Sequence, residues 1–380
     1  MPFAMKLRIQ ALTHLSILAV ASAGLVHAAD TAAPASDEPL LLNEVAIIGS
    51  KQNIERIPGS GAFITAEEFR AFGYDDINQV IRRTPGVYVR QEDGYGLFPN
   101  VSLRGVSTTR NGKITVMEDG ILMAPAAYSD PAAYYTPNTG RMSGLEVLKG
   151  SSQIKYGPET TGGVMNYLST PIPARDSGFV SLSYGSNADF RAQAWYGGQT
   201  DTSWATLGWL VENVWRQTDG FKTTAAATGG GYAGSRDTGF ERNEPMVKFR
   251  LTFKSAVPQS LEFKYGRTDI DADETYLGLT DTDFRADPLR RYAASRYDHI
   301  STKQERLSAR YTVQPTDALR LSLTAYKTEF ARNWYKLDAA GVGPAGGFLN
   351  LSEALAGQFG EPILNVLKRS EEHTSELQSR

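Results

Sequence analysis

Val247-Lys248-Phe249-Arg250-Leu251-Thr252-Phe253 alternates apolar and polar side chains without a break. Successive strand residues point to opposite faces, so Val247, Phe249, Leu251 and Phe253 share one face and Lys248, Arg250 and Thr252 the other. The same period of two recurs on both sides of this run. Val180, Leu182 and Tyr184 alternate with Ser181 and Ser183, and Leu261, Phe263 and Tyr265 with Glu262 and Lys264. Leu307, Ala309, Tyr311 and Val313 alternate with Ser308, Arg310 and Thr312, and Leu319, Leu321 and Leu323 with Arg320, Ser322 and Thr324. A soluble two-sheet sandwich also alternates in this way. Two further features favour a barrel in a membrane.

Aromatic residues gather towards strand ends at Tyr184, Tyr196, Trp204, Trp215, Phe253, Tyr311, Trp334 and Tyr335. That is the girdle expected at a lipid–water boundary. The connections also alternate in length. Gly197–Ser203, Lys254–Ser260 and Gln314–Ala318 are short, whereas Gln217–Pro245 and Asp269–Gln304 are long, and Gly185–Ala188 is tight. Short turns at one end and long loops at the other mark outer-membrane barrels. Seven strands are counted, the last starting at Leu319. So few cannot enclose a separate domain, because barrel diameter grows with strand number. Residues 174–368 therefore read as the first part of a barrel.

Upstream, residues 50–173 read as a small α+β module. Thr65-Ala66-Glu67-Glu68 is a capping box, with Phe69 and Phe72 on one helix face and Gly73 as a stop. A second helix from Asp76 to Arg83 places Ile77, Val80 and Ile81 at helical spacing. Strands are expected at Val87–Val89, Val101–Leu103, Ile114–Met117, Leu145–Leu148 and Val164–Ser169, separated by glycine turns. Leu40–Ile48 is a short apolar run with no partner nearby, a strand able to pair with an exposed sheet edge.

Both ends stand apart from the fold. Lys6 and Arg8 precede a short apolar run, Leu12–Val26, and Val26-His27-Ala28 offers a cleavage site, so residues 1–28 read as a signal peptide. Residues 29–49 form a leader. Residues 369–380 (RSEEHTSELQSR) resemble the translation of a sequencing-library adapter and are expected to be foreign, cutting the natural chain near Lys368.

Composition narrows the function. The formal charge of −3 gives no basic excess for nucleic acid, and the absence of cysteine removes disulfide scaffolds, thiolate metal sites and thiol nucleophiles. Three of the four histidines lie in the two end segments, leaving His299. Histidine-based triads and two-histidine zinc sites are thereby nearly eliminated. No catalytic set, metal centre or cofactor is expected. Gly229-Gly230-Gly231-Tyr232-Ala233-Gly234 fits a dinucleotide motif but lacks the flanking strand and helix. Asp269, Asp271 and Asp273 have calcium-loop spacing, yet Glu274 replaces the turn glycine and Thr280 the closing glutamate.

A signal, a pairing segment, a glycine-rich α+β module and then barrel strands is an order that resembles the TonB-dependent outer-membrane receptors. The resemblance covers residues 40–368. It is carried by Thr84-Pro85-Gly86-Val87, Leu103-Arg104-Gly105, Met117-Glu118-Asp119-Gly120-Ile121, Leu145-Glu146-Val147-Leu148-Lys149-Gly150, and Lys155-Tyr156-Gly157-Pro158 with Gly162-Gly163-Val164-Met165-Asn166. In the barrel, Tyr276–Asp281 through Arg290–Ala293 and Asn333-Trp334-Tyr335-Lys336-Leu337 look like the ferric-dicitrate branch.

The resemblance implies an α+β plug domain followed by an incomplete antiparallel transmembrane β-barrel in the cell outer membrane, surrounded by outer-membrane lipid and monomeric when full length. It implies uptake of a ferric chelate, ferric citrate or a siderophore, energised by TonB, which grips Asn43, Glu44, Val45, Ala46, Ile47 and Ile48 by strand addition. A fixed first strand of the plug sheet is the alternative for that segment. An anionic chelate calls for arginines, making Arg110, Arg236, Arg242, Arg285, Arg290, Arg291 and Arg296 ligand-binding candidates with Tyr128 and Asp130. Asp269–Gln304 holds eight acids and five bases, so those arginines can equally pair with neighbours. Asp130 would repel citrate. Cobalamin, another metal chelate or a saccharide are alternative ligands, and an outer-membrane enzyme or adhesin is the reading from a different class.

Overall fold

The period of two at Val247–Phe253 is realised in a long strand that continues past the apolar run. A computed structural model of the protein describes residues 46–71, 75–106, 110–123, 134–225, 237–275, 277–341 and 347–369. The first module contains β1 (Ser60–Thr65), α1 (Ala66–Ala71), α2 (Ile77–Ile81), β2 (Val87–Arg90), β3 (Asn100–Leu103), β4 (Ile114–Glu118), β5 (Ile121–Leu122), β6 (Met142–Lys149) and β7 (Gly163–Ser169). The capping box starts α1: Thr65 Oγ1 accepts from the Glu68 N–H at 3.3 Å, and the Glu68 carboxylate accepts from the Thr65 N–H at 2.9 Å. The Asp76 side chain caps α2. Phe72, Gly73 and the Gly229–Gly234 motif lie outside the described residues.

The module's main sheet runs β1-β6-β7-β4-β5, with β4 and β7 parallel. Its two faces do different work. Ile114, Val116, Leu145, Val147, Met165 and Tyr167 pack with Phe69, Ile77, Val80 and Ile81 of the helices. The intervening residues Met117, Leu148 and Val164 pack with Ile48 on the other face. Gly163 sits at φ +153°, where a Cβ would come within 2.5 Å of the Leu148 carbonyl. Only glycine lets these strands approach so closely.

The second sheet is antiparallel and seven-stranded: β8 (Ser177–Tyr184), β9 (Phe190–Asp201), β10 (Ala205–Thr218), β12 (Phe240–Phe253), β13 (Gln259–Ala272), β15 (His299–Thr316) and β16 (Leu319–Tyr335). Loop strands β11 (Thr223–Thr224) and β14 (Arg290–Arg291) pair in parallel, and α3 (Asp281–Ala286) lies between β13 and β14 in the chain. Beyond β16 come β17 (Ala339–Gly341), β18 (Phe348–Asn350), α4 (Leu351–Leu355) and α5 (Glu361–Arg369). Among the described residues, β8 and β16 each keep one edge unpaired, and the sheet is not closed.

Its outer face carries Leu182, Val211, Phe249, Phe263, Leu307 and Leu323, each between 42% and 72% exposed. So many exposed large apolar residues in register make sense only against lipid. The apolar row on β16 from Leu319 to Ala325 is about 20 Å long at about 3.3 Å per residue. Above it the outward residues become charged, as in the Lys303–Glu305 pair at 2.9 Å and the Arg267–Asp269 pair at 2.5 Å. The strands thus extend beyond the lipid-facing band. The long loops are correspondingly shorter than the sequence suggests, spanning 219–239 and 273–298. No helix among the described residues is long and apolar enough to cross a membrane.

Candidate functional site

Leu145-Glu146-Val147 places a carboxylate in the middle of an apolar strand, and the structure gives that charge a purpose. Glu146 is fully buried and accepts from the Ile47, Ile48 and Gly49 N–H groups at 2.7 to 3.0 Å. The Asn166 amide donates to its other side at 2.8 Å. Charge-assisted bonds to backbone donors are among the stronger protein hydrogen bonds. Ile48 is buried against Met117, Leu148 and Val164, with Ile47 half-buried beside them. Ala46, Ile47 and Ile48 are therefore not a strand, contrary to the sequence expectation. Glu146 satisfies the Ile47, Ile48 and Gly49 N–H groups in place of a ladder, and the Asn53 amide donates to the Ile48 carbonyl at 3.0 Å. Asn43, Glu44 and Val45 lie outside the described residues.

The other face of the same sheet is locked to the long strands. Arg141 is fully buried, bonding Glu118 at 2.8 Å, Glu244 of β12 at 2.5 Å and the Tyr135 hydroxyl at 2.7 Å. Lys264 of β13 reaches Glu118 at 2.5 Å, Ser169 Oγ at 2.9 Å, and the Asp119 carboxylate. Arg306 of β15 bonds Glu118 at 2.5 Å, and Arg310 donates to the Asp119 carbonyl at 2.8 Å. Arg242 belongs here too. Sequence reasoning put it in a ligand-binding loop, but it lies on β12, buried, donating to Glu244 and to the Thr136 carbonyl. The correction follows from the strand extension, because β12 begins at Phe240.

The two faces are joined through the Asp119-Gly120 turn. Asn166, which holds Glu146, also accepts from the Gly120 N–H at 3.0 Å. Asp119 in turn bonds Lys264 and Ser169. A continuous path of hydrogen bonds therefore runs from the Ile47–Gly49 backbone to the wall of strands.

At the long-loop end, the Glu92–Phe98 segment of the module forms an apex. Asp93 accepts from the Tyr95, Gly96 and Phe98 N–H groups at 2.6 to 3.0 Å, holding a tight loop. Leu97 and Phe98 pack on Phe240, Ile270, Ala272 and Ile300, with Trp334 beside them. Trp334 thus faces inward and is no part of the lipid girdle. Gly94, at φ +88°, leaves room for the Phe221 ring, which a Cβ would meet at 2.7 Å. Next to Phe221, Lys222 donates to the Asp93 carbonyl at 2.9 Å and to both oxygens of Glu274. One lysine so ties the apex to both long loops.

Burial pushes Glu274 up to about 7 despite Lys222, and pushes Lys222 down. A carboxyl whose closed-state value exceeds its ordinary 4.5 keeps its proton when closed at pH values where the open form has lost it. Closure is then fully favoured below the ordinary value and weakens as pH rises towards about 7. The Thr223 and Ala225 amides, bonded to the Leu289 and Arg291 carbonyls, report the clasp. Their hydrogen-exchange protection, corrected for intrinsic rate, is expected to fall as pH rises from the ordinary carboxyl value of 4.5 through about 7. Glu274→Gln should abolish that dependence, and an unchanged slope in the variant would refute the assignment.

The other candidates scatter. Arg110 lies at the apex, paired with Glu92 at 2.6 Å. Arg285 is exposed on α3, paired with Asp281 at 3.0 Å. Arg290 and Arg291 form β14, and Arg296 stacks on Tyr297. These loop arginines do not converge. Tyr128, Asp130 and Arg236 lie outside the described residues. Asp271 and Asp273 are engaged by His299 at 3.3 and 2.9 Å, and among the described residues no carboxylate or histidine group forms a metal site. Sequence reasoning missed Glu146, Asn166, Arg141, Glu244 and Lys264. For Glu244 and Lys264 the available clue was charge at inward positions of membrane strands, which is costly unless paired and so marks a function.

A module pinned by buried ion pairs to the inner face of lipid-facing strands defines the plugged barrels of the outer membrane. Residues 53–164 match the TonB-dependent receptor plug domain family. The chain is 26% identical over 238 residues to the vitamin B12 transporter BtuB of Photobacterium profundum, covering 62% of this chain and 37% of that protein. To BtuB of Vibrio vulnificus it is 25% identical over 216 residues, covering 57% and 33%. Among solved structures, the unliganded ferric citrate transporter FecA superposes with a TM-score of 0.63 at 22% identity, over 76% of this chain and 42% of that one. The ferric yersiniabactin uptake receptor FyuA from Yersinia pestis gives 0.59 at 19%, over 73% and 41%. These two likenesses establish the fold. Residues 53–164 are a plug domain of the TonB-dependent receptors, a family of outer-membrane receptors and transporters and not of enzymes. The chain spans a little over a third of the first of these relatives and about two fifths of the solved chains.

Proposed function

We propose that the receptor carrying this chain imports an iron chelate across the outer membrane, energised by a TonB-type partner that grips residues 43–48. The observation that carries this reading is the attachment of Ile47–Gly49 to a single buried carboxylate. A segment held by side chains and not by a strand ladder detaches without tearing a sheet. Its freed N–H groups then suit strand addition, a mode of recognition that tolerates varied side chains. Ligand enters from the long-loop end, where outer-membrane barrels face the exterior, and meets the apex. The fold shared with ferric citrate and ferric yersiniabactin receptors supports an iron chelate. Cobalamin is the second reading, favoured by the BtuB sequence matches.

Growth separates them. A deletion strain carrying the complete gene should grow on a ferric chelate as sole iron source, and Ile47→Pro should abolish that growth while leaving chelate binding intact. Growth dependent on the gene only with cobalamin would establish the second reading. Loss of binding in Ile47→Pro would refute the partner-gripping role.

A further inference from the structure

Resting on that uptake reading, we propose that Arg332, Tyr134, Trp334 and Arg110 form the seat for the ligand's anionic face, and that the ligand is a chelate with planar oxyanion donors. The four residues come from distant parts of the chain. Arg110 and Tyr134 belong to the plug, and Arg332 and Trp334 are successive inward positions near the long-loop end of β16. The Arg332 guanidinium lies 3.9 Å from the centre of the Tyr134 ring and 5.8 Å from that of Trp334. Arg110 lies 5.2 and 5.4 Å from the same two rings. Tyr134 and Trp334 meet edge to face at 5.9 Å.

Charge bookkeeping singles out one group. Arg110 is neutralised by Glu92 at 2.6 Å, and Lys336, 5.2 Å from the centre of the Trp334 ring, pairs with Asp338. Arg332 makes no ion pair among the described residues and is exposed. An arginine held over an aromatic face leaves the N–H groups at its own edge pre-organised for a planar oxyanion. The rings also exclude water on one side, which strengthens attraction for an arriving charge. Carboxylates and catecholates share the required chemistry: negative, planar oxygen donors. A neutral corrinoid does not.

The test is titration of the complete receptor, purified in detergent, with ferric dicitrate, iron(III) tris-catecholate and cyanocobalamin. Wild type should bind one of the two anionic chelates, and which one distinguishes carboxylate from catecholate. Arg332→Ala should weaken that binding about tenfold to a hundredfold, the cost of one charge-assisted contact. Arg332→Lys should recover only part, because a lysine cannot reproduce the planar fork. Tyr134→Leu should act in the same direction, and higher ionic strength should weaken wild type more than Arg332→Ala. Heat-resistant migration of each variant on gels verifies that it folds. If wild type binds an anionic chelate and the variants bind equally well, the seat is refuted while the uptake reading survives. Binding of cyanocobalamin alone would overturn the uptake reading and the seat with it.

Discussion

Replacing Arg141 with methionine is expected to loosen the plug from the strands and make the complete receptor leak. Arg141 is 2% exposed and spans Glu118, Glu244 and Tyr135, so its loss takes a partner from two buried carboxylates at once. Removing one partner of a buried ion pair costs about 3–5 kcal/mol, mostly for the charge left behind. The lower end applies here. Glu118 retains Lys264 and Arg306, and Glu244 retains Arg242 and the Asn138 N–H. Thermal unfolding in detergent should register the loss, and cells expressing the variant should admit large hydrophilic antibiotics that wild type excludes. Adding Glu244→Gln to Arg141→Met should lower the stability further, because it strips the buried Arg242 of its counter-charge. A variant as stable and as tight as wild type would show that the network does not seat the plug.

Glu146→Ala should free the segment that follows the leader. Three backbone donors lose their acceptor together, and each bond to a charged group contributes about 1.5–3 kcal/mol. Even after allowance for new contacts with water, about 3 kcal/mol of local docking is lost, a shift of more than a hundredfold in the open fraction. The chain has no cysteine, so Ala46→Cys introduces its only thiol. Its labelling rate should rise by about two orders of magnitude in the Glu146→Ala background. Equal rates would mean that burial of Ile48, and not the carboxylate, fixes the segment. Glu146→Gln is informative beside it, since it keeps one acceptor oxygen and removes the charge.

The alternation at Val247–Phe253 and in the runs around it, with the strand-end aromatics and the loop lengths, was enough to predict strands, a lipid face and a count of seven. It failed where both faces turn polar. Arg267, Asp269 and Asp271 face outward on β13 beyond the apolar band. With Ile270 the lone apolar residue between them, the period is lost to inspection and the strand looks like loop. The same blurring misplaced Arg242. Trp334 was misread for another reason: a strand-end tryptophan looks the same in sequence whether it faces lipid or lumen. The capping box at Thr65–Glu68 was legible because its chemistry is local. Glu146 was not, because its backbone partners lie 97 to 99 residues away.

The plug's latch and its lock occupy neighbouring rungs of one ladder. Met117, Asn166 and Glu146 pair across β4, β7 and β6 on one face, and Glu118, Tyr167 and Leu145 pair immediately after them on the other. A slip of one residue in that pairing would exchange the faces. Glu118 would turn into the apolar bed of Ile48, and Met117 would be offered to Lys264 and Arg306. Either mistake buries a charge without its counter-charge, so each face proofreads the alignment that the other requires during assembly.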